Sequence, residues 1–300
     1  MSSTIITVSY SELDAFRQCP LKHTLGYKQR WTKEAAADGA LAKGTLWHRV
    51  MDVHYRTIQA MSDGLSGQQV EKSADEILEH AREQTRPLLQ HNQSGASSEV
   101  QDLIAWMYDG YVAYHGVDPQ WKIMATEHSI TVPLFTDRGT KSRFRLKAKI
   151  DLIVRHRDTG LLWVIDHKSG RDLPKSQELD LDDQFGLYTA MLRRVGRPVQ
   201  GSIHNAARTY KTIKEQALPE RFSRTYMNRT DVELTNIELD AWRTARMAYS
   251  ALNETPFSSP DPRQCGWKCD FRDSHLLARK GVPIEQSLLD YGFRIDRTRH

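Results

Sequence analysis

From Phe144 to Leu152 apolar and polar residues alternate without a break: Phe144, Leu146, Ala148, Ile150 and Leu152 interleave with Arg145, Lys147, Lys149 and Asp151. A period of two predicts a strand with one buried face. The run FRLKAKIDLIV leads into the turn signal HRDTG, and a second apolar run, LLWVIDHKSG, ends in an acid, a spacer and a lysine. Together they predict a β-hairpin that closes near Asp158 and Thr159 and sets Asp151 almost opposite Asp166. Residues two apart share a face, so Asp166 and Lys168 lie on one side and the side chain of His167 points away.

Helical periods dominate elsewhere. Ser9-Tyr-Ser-Glu12 has the form of a capping box, followed by Leu13, Phe16, Leu21 and Leu25 on an amphipathic segment that Pro20 kinks or divides. Residues 35–44 read as small and flexible, and a helix is predicted from Thr45 to about Ile58, carrying His48, Asp52 and His54. Two more helices are expected over 69–90 and 97–115, around the polar loop HNQSGAS. Strand signals run from Met124 to Leu134 and on through the hairpin. A helix over Asp182–Arg194, a β-rich stretch near Gln200–Tyr210 and a late helix over Leu234–Leu252 follow. The expected architecture is an α/β core with a helical insertion on its N-terminal side, in one domain: 1–120 mainly helical, 121–255 the core, 256–300 a cysteine-containing tail.

Composition narrows the classes. The 300 residues suffice for a sizeable core, and no stretch approaches the roughly 20 apolar residues of a membrane span, so a soluble, intracellular protein without a membrane partner is expected. The net charge of +4 permits a nucleic-acid partner without demanding one. Three cysteines are too few for a secreted disulfide scaffold and raise the question of a metal or cluster.

The hairpin carries the chemistry. Two carboxylates and an ammonium converge where burying them needs a reason, and a hard divalent cation acting on a phosphodiester supplies one. In-line attack by water needs hydroxide near neutral pH and a counter-charge for the non-bridging oxygens, and Asp151 and Asp166 are oxygen ligands suited to Mg²⁺ or Mn²⁺. Arg145, Lys147 and Lys149 share the face of Asp151, either as the solvated outside of a sheet or as a surface that tracks phosphates. Glu127, on the preceding strand, either approaches the metal or is an exposed strand acid, and the second reading is the better one.

The ordered motifs resemble the PD-(D/E)XK nuclease superfamily, in particular its RecB-like branch of AddB-type nuclease domains, CRISPR adaptation nucleases and phage exonucleases. The opening SYSELDAFRQCPLKHTLGY is similar to that branch's N-terminal helix, Gly44-Thr-Leu-Trp-His48 to Gly-x-x-x-His, Asp151 to the first core acid, Asp166-His167-Lys168 to Asp-x-Lys, and Gln184-Phe-Gly-Leu-Tyr188 to Gln-x-x-x-Tyr. The resemblance implies a restriction-endonuclease-like core, a mixed central sheet flanked by helices. It implies a cation held by His48, Asp151, Asp166 and the backbone carbonyl of His167. Lys168 would position the attacking water or stabilise the transition state, and Gln184 and Tyr188 would line the nucleic-acid path.

It also implies a second group. RecB-like nucleases often bind a [4Fe-4S] cluster through one N-terminal and three C-terminal cysteines. Here Cys19, Cys265 and Cys269 stand in such positions, and His275 occupies the place of the fourth. A cluster on these four, a zinc ion and no metal at all remain alternatives. The function implied is a metal-dependent DNA nuclease, foremost an exonuclease on single strands or DNA ends in recombination or repair, in the cytoplasm of a bacterial or phage-infected cell. A structure-specific endonuclease and a non-catalytic DNA-binding module are the alternatives. The sequence has no P-loop, so any helicase or recombination motor would be a separate partner.

Overall fold

The structure is a computed structural model that describes residues 4–62, 73–90, 95–211, 216–250 and 259–298. In chain order the elements are β1 (Ile6–Ser9), α1 (Tyr10–Gln18), α2 (Pro20–His23), a π-helical turn (Thr24–Lys28), β2 (Trp31–Lys33), α3 (Ala40–Ser62), α4 (Ala74–Gln90), α5 (Ser98–His115), β3 (Trp121–Phe135), β4 (Lys141–His156) and β5 (Leu162–Gly170). Then come α6 (Ser176–Leu179), α7 (Asp183–Arg194), β6 (Val199–Arg208), α8 (Leu218–Arg221), β7 (Phe222–Met227), α9 (Asp231–Ser250), α10 (Pro262–Lys268), α11 (Arg272–Ala278), α12 (Ile284–Asp290) and β8 (Phe293–Ile295). They form a mixed α/β fold around a mixed sheet, the class expected from the sequence.

Two compact units share the chain: Met1–Ala35, Pro133–Lys147 and Glu238–His300 make the first, Ala36–Val132 and Ala148–Ile237 the second. In the first, β1 runs parallel to the start of β4, Ile6 beside Phe144 and Ser9 beside Lys147, and β2 pairs antiparallel with β8. Leu21, Leu25, Trp31, Phe271, Leu288 and Phe293 form its apolar cluster. Ser9 caps α1 by accepting from the Glu12 N–H at 3.2 Å. Only half of the capping box forms, because the Glu12 carboxylate turns inward, accepts from the Tyr249 hydroxyl at 2.6 Å and meets His23 at 3.2 Å. Pro20 divides the first helix by opening α2, where its missing N–H costs nothing.

The second unit carries the hairpin. The end of β4 pairs antiparallel with β5, Leu152 against Ile165 through Arg155 against Leu162, so the next pair in that register is Asp151 and Asp166. Strand β5 runs parallel to β6, with Asp166 beside His204 and His167 beside Asn205, and β6 runs antiparallel to β7. Helix α3 lays Leu46, Trp47, Val50, Met51, Tyr55 and Ile58 into one core with Ile104, Met107, Tyr108 and Tyr111 of α5 and Leu152, Val154 and Ile165 of the sheet. Full burial of each such large side chain contributes about 1.5–3 kcal/mol.

Several boundaries differ from the sequence expectations. Helix α3 begins at Ala40, inside the stretch read as flexible, because Ala, Leu and Lys favour helix and one interior glycine costs only about 1 kcal/mol against that anchored face. The helix expected over 69–90 is described from Ala74, and residues 69–72 lie outside the described residues, as do 251 and 252 of the late helix. Strands β1, β7, β2 and β8 and the helices of the tail carry no clear period in the sequence. Strand β7 is half-buried through most of its length and follows four residues of helix, so its short FSRTYM run shows no alternation to read.

Candidate metal centre and active site

Helix α3 positions the first ligand type. Gly44 and His48, one turn apart, border an open pocket of about 610 Å³, and no described atom outside the local backbone lies within 4 Å of where a Gly44 Cβ would stand. His48 Nδ1 reaches Asp151 Oδ2 at 3.2 Å. That same oxygen accepts the His167 backbone N–H at 2.8 Å, a cross-strand contact that the hairpin register creates. The ring of His167 points into the core, as its position between Asp166 and Lys168 predicts, and is fully buried.

Asp166 and Lys168 line the pocket from β5, and Lys168 Nζ lies 2.9 Å from Asp166 Oδ2. This is an ion-pair contact outside hydrogen-bond alignment, and Asp166 Oδ2 has no other donor. A buried carboxylate oxygen without an aligned donor suits a cation ligand. From α7, capped by Asp182, Gln184 accepts from Lys168 at 3.2 Å and donates to the Tyr188 hydroxyl at 2.5 Å. Gln184, braced by Tyr188, thus holds the lysine head, and both residues border the pocket.

The electrostatics separate the two acids. Burial pushes the Asp166 carboxyl up to about 6, with Lys168 pulling against it and the Asp151 charge adding to it. Burial pushes Asp151 the same way, but the hydrogen bond and charge of His48 and the His167 N–H outweigh it and leave that carboxyl below its ordinary value. Burial lowers His48, yet its bond to Asp151 raises it above the ordinary imidazole value. Lys168 is held above the lysine range: burial works against its charge, and Asp166 more than compensates.

Glu127 corrects the sequence reading. It is not a solvent-facing strand acid: it lines the pocket and pairs with Lys149. Among the described residues, His48, Glu127 and Asp151 are the three ligand-type side chains whose donor atoms close to within 4.8 Å of one another. The backbone of Glu127 has φ of 47°, in the left-handed region, and the buried positions of β3 change parity across it, from Trp121 and Ile123 to Ile130 and Val132. A left-handed residue within a strand changes which face the side chains around it take, at a cost that non-glycine residues carry mainly at functional sites. The shift from odd to even apolar positions is visible in the sequence and could have revealed it. Imidazole and hard carboxylate oxygens form a donor set for a divalent cation, so these residues fit one.

Of the basic strip, Lys149 borders the pocket and is exposed, Arg145 is exposed and Lys147 half-buried beside Ser9 of β1. His54 is a core histidine: its Nδ1 lies 3.1 Å from the Tyr108 hydroxyl, and burial lowers its pKa to about 4.

In the first unit, Cys19, Cys265 and Cys269 line a cavity of about 240 Å³ together with Lys22, Asp261 and Arg263. None of the three is in a disulfide. The Lys22 N–H donates to Cys19 Sγ at 3.5 Å, and burial, with Cys265 and Cys19 nearby, pushes the Cys269 thiol up. Three thiols thus border one cavity. His275, on α11, is half-buried and does not line this cavity.

A profile of the PD-(D/E)XK nuclease superfamily matches residues 7–274. No curated protein matches the sequence. Among solved structures, a protein named "Putative exonuclease" from Eubacterium rectale is 13% identical over 87% of this chain and 92% of its own, with a TM-score of 0.45. SSO0001 is 15% identical over 74% of this chain and 82% of its own, with a TM-score of 0.33.

Proposed function

The chain belongs to the PD-(D/E)XK nuclease superfamily, and from that premise we propose that it is a Mg²⁺- or Mn²⁺-dependent deoxyribonuclease of the RecB-like branch, foremost an exonuclease on single strands or DNA ends. One observation carries the reading: Asp151, Asp166 and Lys168 converge with His48 and Glu127 in a single open pocket. The branch assignment rests on His48, which meets Asp151 from the helix that also bears Gly44.

His48, Glu127, Asp151 and Asp166, with the His167 carbonyl, would hold the cation. A divalent cation bound there supplies Lewis-acid stabilisation of the charge that develops on the scissile phosphate. Lys168, kept protonated by Asp166 and steered by Gln184, offers N–H donors to the attacking water or to a non-bridging oxygen. Lys149, with Arg145 and Lys147 on the same strand face, would follow the DNA backbone. We read the whole chain, 1–300, as one nuclease domain, since neither unit is contiguous in sequence.

The cysteine cavity belongs to the same reading. Cys19, Cys265 and Cys269 would supply three thiolates to an iron-sulfur cluster, which would tie the two ends of the chain together. The fourth ligand is open, because His275 does not border the cavity. A charge-transfer absorbance in anaerobically purified protein tests this apart from cleavage, and its absence would reject the cluster alone.

The setting proposed is the cytoplasm of a bacterial or phage-infected cell, in recombination or repair beside a separate helicase or recombination protein. Among the described residues no helix is long and apolar enough to cross a membrane. The decisive experiment digests end-labelled linear and closed circular DNA with Mg²⁺ or Mn²⁺. Cleavage of linear DNA, lost in Asp166→Ala and Lys168→Ala while DNA binding persists, supports the reading. Unchanged cleavage in either variant would overturn the site, cut circles would point to an endonuclease, and binding without any cleavage would point to a non-catalytic module.

A further inference from the structure

Behind Asp166 and Lys168, on the opposite face of the sheet, His167, Asn205 and Arg224 stand side by side on β5, β6 and β7. Arg224 is anchored first. Its Nη1 and Nη2 donate to Asp118 Oδ1 and Oδ2 at 2.6 and 2.7 Å, and Nη2 also donates to the Tyr111 hydroxyl at 2.8 Å. Its Nε donates to Asn205 Oδ1 at 3.1 Å. A guanidinium has no acceptor, so the amide of Asn205 has to turn its oxygen toward Arg224 and its nitrogen toward His167.

That nitrogen lies 2.7 Å from His167 Nδ1 and 2.9 Å from the Tyr111 hydroxyl. An amide nitrogen only donates, so His167 Nδ1 accepts and the ring proton sits on Nε2. The tautomer follows from the arginine, through the amide. The same ring stacks on Tyr55, with centroids 5.4 Å apart and planes 17° from parallel. Tyr55 stands two turns beyond His48 on α3, so one helix face grips both the His167 ring and the Asp151 carboxylate.

We propose that Asn205 is a positioning residue for the cation site. By fixing the Nε2–H tautomer of His167 it holds the ring against Tyr55, and so sets the 166–168 backbone against His48 and Asp151. His167 gives its backbone N–H to Asp151 and carries the carbonyl assigned to the cation. This rests on the metal reading given above. A ring turned over would leave one of the two Asn205 N–H donors, the one not given to Tyr111, without a partner in the core, which costs about 1–3 kcal/mol. Nothing in the superfamily motifs picks out Asn205, which lies on a strand where every other position from Gly201 to Ala207 is also buried.

The test joins ring tautomer to metal uptake in the full chain. Nitrogen NMR of labelled histidine should show His167 Nδ1 unprotonated and Nε2 protonated in the metal-free wild type. Asn205→Asp still accepts from Arg224 but has no donor, so His167 Nδ1 should become protonated and Mn²⁺ affinity by calorimetry should fall about ten- to a hundredfold. Arg224→Lys, which keeps the charge facing Asp118 and loses the Nε donor, should move both readouts the same way if Asn205→Asp does not fold. A wild-type His167 protonated on Nδ1, or either variant taking up Mn²⁺ with wild-type affinity, would overturn the proposal. Wild type that binds no Mn²⁺ would remove the metal reading and this one together. Wild type that binds Mn²⁺ but cuts no DNA would remove only the nuclease reading.

Discussion

Asp151 and Asp166 face one another across the β4–β5 hairpin and ionise in opposite senses, the first below its ordinary value and the second up to about 6. The asymmetry comes from their partners. Asp151 takes a backbone N–H and the His48 ring, whereas Asp166 is buried and has only the off-line Lys168 ammonium.

A pH dependence of metal uptake follows. In the metal-free protein near pH 6, Asp166 is partly protonated and His48, raised by Asp151, still carries charge. A cation needs the carboxylate and the neutral imidazole, so binding displaces protons there and none well above both values. Mg²⁺ affinity should fall as pH drops from 7 through 6, by up to about tenfold per pH unit for each proton displaced. Calorimetry in buffers of different ionisation enthalpy counts the protons. Uptake independent of pH between 7 and 5.5 would contradict the assignment of Asp166.

Gly44 makes a separable prediction. It lies in the helix one turn before His48 with open space where a side chain would go. Gly44→Ala should fold and gain about 0.5–1 kcal/mol from helix propensity, read as a higher urea midpoint, with metal uptake retained. Gly44→Leu should fold as well but fill the pocket over His48 and cut DNA cleavage at least tenfold. Equal activity in both variants would show that the opening there is not used.

The hairpin was legible because its two halves keep a strict period and flank a turn signal, which fixes the register from Asp151 to Asp166 without tertiary information. His48, Gln184 and Tyr188 followed from helical spacing and motif order. The network of Tyr55, Tyr111, Asp118, Asn205 and Arg224 did not, since its members come from two helices, a loop and two strands and have no shared period. Glu127 was underestimated for a related reason: its left-handed backbone changes which residues of β3 share a face, and simple alternation assumes an unbroken strand.

Arg224 and Asp118 should dominate the stability of the second unit's polar core. Asp118 is buried and the Arg224 side chain nearly so, and the two are bonded through both terminal guanidinium nitrogens. Removing one partner strands the other charge, so Arg224→Met alone should cost about 3–5 kcal/mol in urea unfolding. Adding Asp118→Asn should recover much of that loss. Recovery by less than about 1 kcal/mol would show that the arginine contributes through Asn205 and the tyrosines instead of through the ion pair.

Glu127 offers the sharpest division between stability and function. Its left-handed backbone costs a non-glycine residue about 1–3 kcal/mol, which glycine does not incur. Its carboxylate, meanwhile, sits with His48 and Asp151 in the pocket. Glu127→Gln removes the charge and keeps the strain, while Glu127→Gly removes both. Both variants should lose Mn²⁺ affinity by at least tenfold, and only the glycine variant should match or exceed the wild-type urea midpoint. If Glu127→Gly binds Mn²⁺ like wild type, the residue is not a ligand. If it binds weakly but is also less stable, the pairing with Lys149 matters more to the fold than the relief of backbone strain.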